Sequence, residues 1–470
     1  MNMNTFEENY SKYIEKLYGE KRENSTDSTL LKLNNLSMPH KYTINSRVDM
    51  TNIETYSIDP DGCEDADDAF SIYEQDHKLY LAIHIADPTE FININSDLWY
   101  DIENRIITRY PSNNKPIHMI PHEIMEKASL MDNSHGNIKN AITVITEINK
   151  ETYLPENKIK LLFTKIKVKK QNSLSYEKAS ENINYLMPLE NGLNISIALQ
   201  DKRGKKTIGV KLKLVDTSVI KYDNIGLYLH RDTVNEKQMK QMIEEFAIFA
   251  NSFIGEYLKI HLDGVGIFRT CDATAITGYE FNNLTGNELL HHIITNGICA
   301  DYMNTVASHD LVGSKEYTHF TSPIRRASDC ICHYLLKYLY LKNINAELNI
   351  PFDNEKLKSL SEKCVTKTKE IKKLQYTDTK FRLIQVMHNL IILKQKIEIQ
   401  YYVTGYIRGF INIIINKIDD CSVYLSYSLK RNEYKETIDN KEMHTLTITI
   451  INCRKKFDEG SIPELDQLFL

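Results

Sequence analysis

Apolar and polar positions divide the chain into stretches of different period. From Tyr56 the texture is that of short strands: Leu79, Leu81, Ile83 and Ile85 alternate with Tyr80, Ala82 and His84, the two-residue period of a strand in a sheet. Ile142, Val144 and Thr146 repeat it. Over Lys158–Lys170, Lys165, Lys167 and Lys169 line one side and Ile166 and Val168 the other, which predicts a strand with a basic face. From about Val234 the period becomes helical, because Met239, Met242, Phe246, Phe249, Phe253 and Ile254 recur at three- and four-residue steps. Further helices are expected over 288–308, 328–341 and 354–398, the last broken at least once. Alternation returns after Tyr402, with Val423, Leu425 and Tyr427 and then Leu446, Ile448 and Ile450. Residues 1–50 read as a polar lead-in, with a short amphipathic helix over Phe6–Leu17 and a Ser/Asn-rich loop over Asn24–Asn35. The expected fold class is α+β: a large domain over 51–400 with a mixed sheet and long helices, then a small β unit over 401–470.

Composition narrows the class. Hydrophobic content of 42% and charged content of 26% over 470 residues match an ordinary globular protein and argue against a disordered or collagen-like chain. No run of about 18 apolar residues is present, so no membrane span is expected. The amino terminus is polar and acidic, unlike a secretory signal. The 8 cysteines are scattered without a CxxC pair, which favours a reducing, intracellular and cytoplasmic setting over a zinc or disulfide framework. A net charge of -5 speaks against a protein that coats nucleic acid with positive charge. It leaves room for a nuclease with an acidic metal cluster and local basic tracks.

Two segments carry candidate chemistry. The first, IDPDGCEDADDAF, places Asp59, Asp61, Glu64, Asp65, Asp67 and Asp68 in one loop before a strand. Crowded carboxylates raise one another's pKa unless a cation neutralises them, and hard oxygen donors suit Mg²⁺ or Mn²⁺. A calcium EF-hand is excluded, because Cys63 and Glu64 stand where that loop needs an acidic or Asn residue and then glycine. A solvated acidic turn is the plain alternative. The second, YTHFTSPIRRASDCICH over Tyr317–His333, reads as a turn feeding a helix, with Thr321 or Ser322 as cap and Arg325 and Arg326 in the first turn. Two guanidiniums at a helix start oppose its dipole, so an anion nearby, a phosphate or the acidic loop, is expected to offset them. A structural salt bridge is the alternative there.

Together the two segments resemble the signatures of the ribonuclease II (RNB) family of 3′-to-5′ exoribonucleases. The first matches the pattern IDP-x4-D-x-DDA without a gap; the second matches Y-x-HFTSPIRRY-x-D…H except that Ala327 replaces tyrosine. Weaker similarity over LAIHIADPTEFI, TRYPSNNKPIHMIPHEI, TKIKVKKQNSLSYEKA and MIEEFAIFAN extends the likeness from about Thr55 to Leu341. The resemblance implies an RNB-type catalytic domain and an OB-fold-like terminal unit. It implies that Asp59, Asp65, Asp67 and Asp68 surround a two-metal site holding Mg²⁺, with Mn²⁺ as alternative. Arg325 then faces the scissile phosphate, with Asp67, Asp68 and Arg325 as the catalytic set. Tyr110 falls on the aromatic residue that holds the 3′-terminal nucleotides of single-stranded RNA. His319 and Arg326 fall among substrate-positioning or structural groups. The lysines at 165, 167, 169 and 170, with Arg203, Lys205 and Lys206, form a candidate phosphate track, and a solvated strand edge guarded by lysines is the alternative. The expected activity is hydrolysis of RNA to nucleoside 5′-monophosphates; a catalytically weak or inactive RNA-binding, complex-organising protein of the same fold is the alternative. Only about 55 residues precede the acidic loop, where family members carry cold-shock-like domains, so a protein partner that supplies RNA capture is a further expectation.

Overall fold

The strand signals close into a barrel in the computed structural model, which describes residues 15, 17–19, 23–34, 39–112, 115–156, 158–214, 218–223, 226–276, 279–284, 286–407, 410–430 and 443–448. Strands β1 (Val48–Asp49), β2 (Thr55–Asp59), β3 (Asp68–Gln75), β4 (Lys78–Ala86), β5 (Ile138–Ile148) and β6 (Lys160–Ser175) form one sheet in the order β1-β6-β2-β3-β4-β5. β6 is 16 residues long and serves twice: antiparallel to β5 through Thr164↔Ala141, and parallel to β2 through Asp59↔Ser175. That double pairing turns the β2-to-β6 ribbon into a closed five-strand cylinder. Alternation along β4 is real, yet both faces are buried: Leu81, Ile83 and Ile85 on one, Ala82, His84 and Ala86 on the other. His84 takes part in a chain of buried hydrogen bonds, Thr55–Ser71–His84–Thr143–Thr164, that crosses all five strands. Burial pushes its imidazole down to about 3, so it stays neutral.

Helices pack around the cylinder. In chain order they are α1 (Asn24–Asn34), α2 (Asp97–Arg105), α3 (His122–Ala128), α4 (Tyr176–Glu181), α5 (Met187–Gly204), α6 (Val234–His261), α7 (Gly286–Thr295), α8 (Ala327–Lys342) and α9 (Asn354–Lys394). Thr233 and Glu236 start α6 with a reciprocal capping box, and its stripe of Met239, Met242, Phe246 and Ile254 is buried as the period predicts. Phe246 meets Phe70 of β3 at a ring separation of 5.5 Å. Strands β7 (Ser218–Asp223) and β8 (Gly226–Arg231) form a hairpin, and β9 (Phe268–Thr270) pairs with β10 (Asp301–Met303). The antiparallel sheet of β11 (Ile397–Ile407), β12 (Phe410–Ile418), β13 (Cys421–Lys430) and β14 (Met443–Ile448) has its own apolar cluster. Leu383, Ile384 and Met387 of α9 share that cluster. The boundary expected at 400/401 falls inside β11.

Three expectations are corrected. The loop expected over Asn24–Asn35 is mostly helix α1, because Leu30 and Leu31 pack on the core while Asn34 bonds the backbone of Phe91 and Asn93. The helix expected over 288–308 ends at Thr295: Gly297 turns with φ +65° and the chain then enters β10. α9 runs unbroken for 41 residues to a left-handed cap at Gln395, since no Gly or Pro interrupts it. Most of the helix expected over Phe6–Leu17, and the chain beyond Ile448, lie outside the described residues.

Candidate active site

The acidic loop is the connection between β2 and β3. Pro60 to Cys63 make a turn closed by Cys63 N–H donating to Pro60 O at 3.1 Å, and Gly62 adopts φ +76°, which favours glycine. Ala66 N–H donates to Ser129 Oγ at 3.0 Å, and Ala86 N–H donates to Asp67 O at 2.8 Å. These bonds leave Asp59 at the end of β2, Asp68 at the start of β3, and Asp65 and Asp67 between them.

The second segment reaches the same place. Asp67 Oδ1 accepts Ile324 N–H at 2.7 Å, and Asp67 Oδ2 accepts Arg325 Nε at 2.9 Å. Arg325 Nη2 donates to Ser322 Oγ at 2.8 Å, so the guanidinium is fixed from two sides while 42% of the side chain stays exposed. The expected cap is corrected: α8 begins at Ala327 with Arg326 as its N-cap, and both arginines precede the helix in a turn. Asp329 draws the turn together by accepting Ser322 N–H at 2.8 Å and Arg326 Nη2 at 2.9 Å on one oxygen. A third stretch lies alongside, with Thr108 N–H donating to Arg325 O at 3.0 Å. It carries Tyr110, whose hydroxyl donates to Asp65 Oδ2 at 2.8 Å.

Burial and mutual repulsion shape the charge state. Burial pushes Asp67 up to about 8 against the pull of Arg325 and the Ile324 N–H. Asp68 is pushed up to about 6, again by burial, opposed by Arg325 and Arg326. Asp59 stands well above the usual carboxylate range through burial and then the charges of Asp68, Asp67 and Asp65. Its Oδ2 is buried with no hydrogen-bond partner. Burial and the charges of Asp68 and Asp59 also raise the phenol of Tyr176, the first residue of α4. Tyr176 was missed in the sequence; the signal was the parallel β2/β6 register, which sets Ser175 beside Asp59.

Not every expected residue joins this cluster. His319 and Arg326 lie behind it. Tyr302 OH and His319 Nδ1 are 2.9 Å apart, while Arg326 is held by Asp329. Burial, followed by Arg326 and Arg269, keeps His319 well below its usual range and therefore neutral. At about 3.3 Å per residue, Lys169 lies roughly 20 Å and Lys165 roughly 33 Å along β6 from Ser175. Arg203 is committed to Glu245, with Nη2 to Oε1 at 2.5 Å.

Four carboxylates with an orphaned buried oxygen and raised proton affinities fit a hard divalent cation, although the Cys63 thiol and the His118 ring also lie against Asp65, at 3.4 and 3.9 Å. Asp65 and Asp67 are turned onto Tyr110 and Arg325. Among the described residues the group whose three ligating atoms already lie within 4.8 Å of one another is instead His230, Asp232 and Glu236. Its acids are engaged locally, Asp232 by Lys240 at 2.6 Å and Glu236 by the α6 capping box.

Comparison with known proteins places the chain in a family and matches its fold. The family model of the RNB domain matches residues 47–342. Exoribonuclease 2 of Psychromonas ingrahamii is 25% identical over 355 residues, covering 66% of this chain and 52% of that protein. The chain spans about half the length of curated relatives it matches. The apo form of Mycoplasma genitalium RNase R superposes with a TM-score of 0.71 at 16% identity, over 96% of this chain and 77% of that one. Yeast Ssd1, described as a pseudonuclease, superposes at 0.64 and 17% identity, over 84% and 52%. No helix among the described residues is long and apolar enough to cross a membrane.

Proposed function

Since the chain belongs to the RNB domain family, we propose that it is a divalent-metal-dependent 3′-to-5′ exoribonuclease, hydrolysing single-stranded RNA to nucleoside 5′-monophosphates. The observation that carries this reading is the convergence of Asp59, Asp65, Asp67 and Asp68 with Arg325, from motifs more than 250 residues apart, around a carboxylate oxygen without a partner. Those aspartates are the residues that would hold Mg²⁺ or Mn²⁺. Bound there, divalent ions supply Lewis acidity to an in-line displacement at phosphorus. Arg325, half-exposed beside them, donates to the non-bridging oxygens as their charge grows. The ring of Tyr110 stacks on a base near the 3′ end, and Arg326 and His319 hold the turn that aims Arg325. The exposed lysines of β6 offer a distant stretch of backbone attraction.

A time course of 5′-labelled single-stranded RNA with Mg²⁺ or Mn²⁺, run beside Asp67→Asn and matched DNA, tests the proposal. The expected result is a ladder shortening from the 3′ end, absent in the variant and on DNA. RNA that shifts in a gel yet stays intact would assign the chain to RNA binding without catalysis.

A further inference from the structure

Tyr110 stands on an irregular stretch, so contacts with the rest of the fold must fix its ring. On one side Ala327 N–H donates to Ile106 O at 2.8 Å and Thr108 N–H to Arg325 O at 3.0 Å, which ties the stretch to the arginine turn. On the other side the supports come from two parts of the chain 360 residues apart. Ser112 N–H donates to Asp378 Oδ2, in the middle of α9, at 2.7 Å. The same oxygen accepts the phenol of Tyr18 at 3.0 Å. Arg109, the neighbour of Tyr110, donates through Nη1 to the carbonyl of Tyr18. Arg109 also exchanges both backbone bonds with Ile117, at 3.1 and 2.9 Å. Tyr18, Ile117 and Phe381 close a small apolar cluster around these bonds, with exposures of 1%, 5% and 0%.

We propose that Tyr18 and Asp378 are positioning residues for Tyr110. Tyr18 and the middle of α9 form a strut that sets the ring against the 3′-terminal base of a single-stranded RNA. This rests on the reading of Tyr110 as the residue that stacks on substrate. The strut grips the backbone on both sides of Tyr110, at Arg109 and at Ser112, and leaves the ring free to meet a base. Asp378 is its centre, because one buried carboxylate oxygen takes a donor from the clamp stretch and another from Tyr18; charge-assisted bonds of this kind hold geometry better than neutral ones. Loosening the strut therefore costs base stacking before it costs chemistry.

The experiment uses the full chain carrying Asp67→Asn, so that RNA is not shortened, and an RNA whose 3′-terminal base is 2-aminopurine. Stacking on Tyr110 quenches the probe, and Tyr110→Ala abolishes the quench. Tyr18→Phe and Asp378→Asn each restore part of the fluorescence and weaken binding about five- to tenfold, the scale of one hydrogen bond. The double variant is no worse than the stronger single one, because the two side chains act as a unit. A probe at the 5′ end is unaffected. Melting temperatures are recorded for each variant. If Tyr110→Ala loses the quench while both strut variants keep quench and affinity, the strut is only an anchor for the chain and the inference fails. If Tyr110→Ala itself keeps the quench, the stacking reading fails and takes the inference with it.

Discussion

Two sets of buried carboxylates sit at neighbouring points of this fold and behave in opposite ways. Asp87 and Glu90, just past β4, face Arg47 and Lys337: Arg47 Nη2 reaches Asp87 Oδ2 at 2.5 Å and Glu90 Oε2 at 2.7 Å, and Lys337 Nζ reaches Asp87 Oδ1 at 3.0 Å and Glu90 Oε2 at 2.7 Å. Two acids meet two bases. Burial alone would push Asp87 up, but Lys337 and Arg47 hold it well below the carboxylate range. Asp59, Asp65, Asp67 and Asp68 lie one strand pair away, joined by Ala86 N–H on Asp67 O. They share a single direct arginine, and three of them are raised instead. A balanced buried network serves the fold; acids crowded without matching bases, kept in place at a cost in stability, are what the proposed active site requires.

Removing one acid from each set breaks or keeps that distinction. Asp67→Asn is expected to lower RNA hydrolysis by about a thousandfold or more, the scale for a lost electrostatic or metal-holding group. Its melting temperature should hold or rise, because the amide is neutral without the cost of keeping a proton on a buried carboxyl that the unfolded chain would release. Asp87→Asn should do the reverse. It leaves Arg47 and Lys337 with Glu90 as their one remaining carboxylate of the set and costs about 3–5 kcal/mol, a fall in melting temperature on the order of 10 °C, with near-normal rate per folded molecule. Differential scanning calorimetry beside the RNA time course checks both. A stable Asp87→Asn with impaired hydrolysis would erase the contrast.

Titration sharpens the same comparison. Asp67 is raised to about 8 and Asp68 to about 6, so in the folded state they hold protons that the unfolded chain releases near 4. The folded form then binds more protons between those values. Stability of the chelated protein is full below about pH 4 as far as these groups go and declines as pH rises, by up to about 1.4 kcal/mol per pH unit for each group, until about 6 for Asp68 and about 8 for Asp67. Asp87, lowered instead, contributes stability that is present above the ordinary carboxylate pKa and lost as pH falls through its folded value. Adding Mg²⁺ should raise the melting temperature at pH 8 by several degrees more than at pH 5, since the cation binds the ionised site. Equal shifts at both pH values would argue against these aspartates as the ligands.

What was legible in the sequence and what was not follows from the range of the contacts. The strands around Leu81 and Val144, the long helix of Met239 and Phe246, and the two motifs were visible because each is a local pattern. Helix α1 was not, since its polar run is held by Leu30 and Leu31 on a core supplied by later residues. Tyr176 escaped because only the parallel pairing of β2 with β6 brings it to Asp59. Tyr18 and Asp378, 360 residues apart, leave no local trace at all. The turn of Arg325 was legible as chemistry but misread as helix, because Asp329 gathers it from within the first turn of α8.

The smallest expected effect concerns the lysines of β6. A strand edge guarded by lysines, the alternative reading of Lys165, Lys167 and Lys169, does not describe Lys165, which lies between Asp49 of β1 and Asn140 of β5, whereas the β5 register ends at Lys167 and the β2 register passes from Val168 to Ser173 without pairing Lys169. These side chains project from a sheet face, over a span of 4 residues or about 13 Å, a length comparable to two or three phosphates of an extended strand. Lys165 and Lys169 are exposed and Lys167 is half-buried. A phosphate track predicts that replacing all three by alanine raises KM about three- to tenfold, leaves kcat alone and flattens the dependence of log affinity on log salt by about 0.7 for each lost contact. A KM and a salt slope that do not move would leave these lysines as solvating charges. The reach of substrate binding would then end near the aspartates and Tyr110.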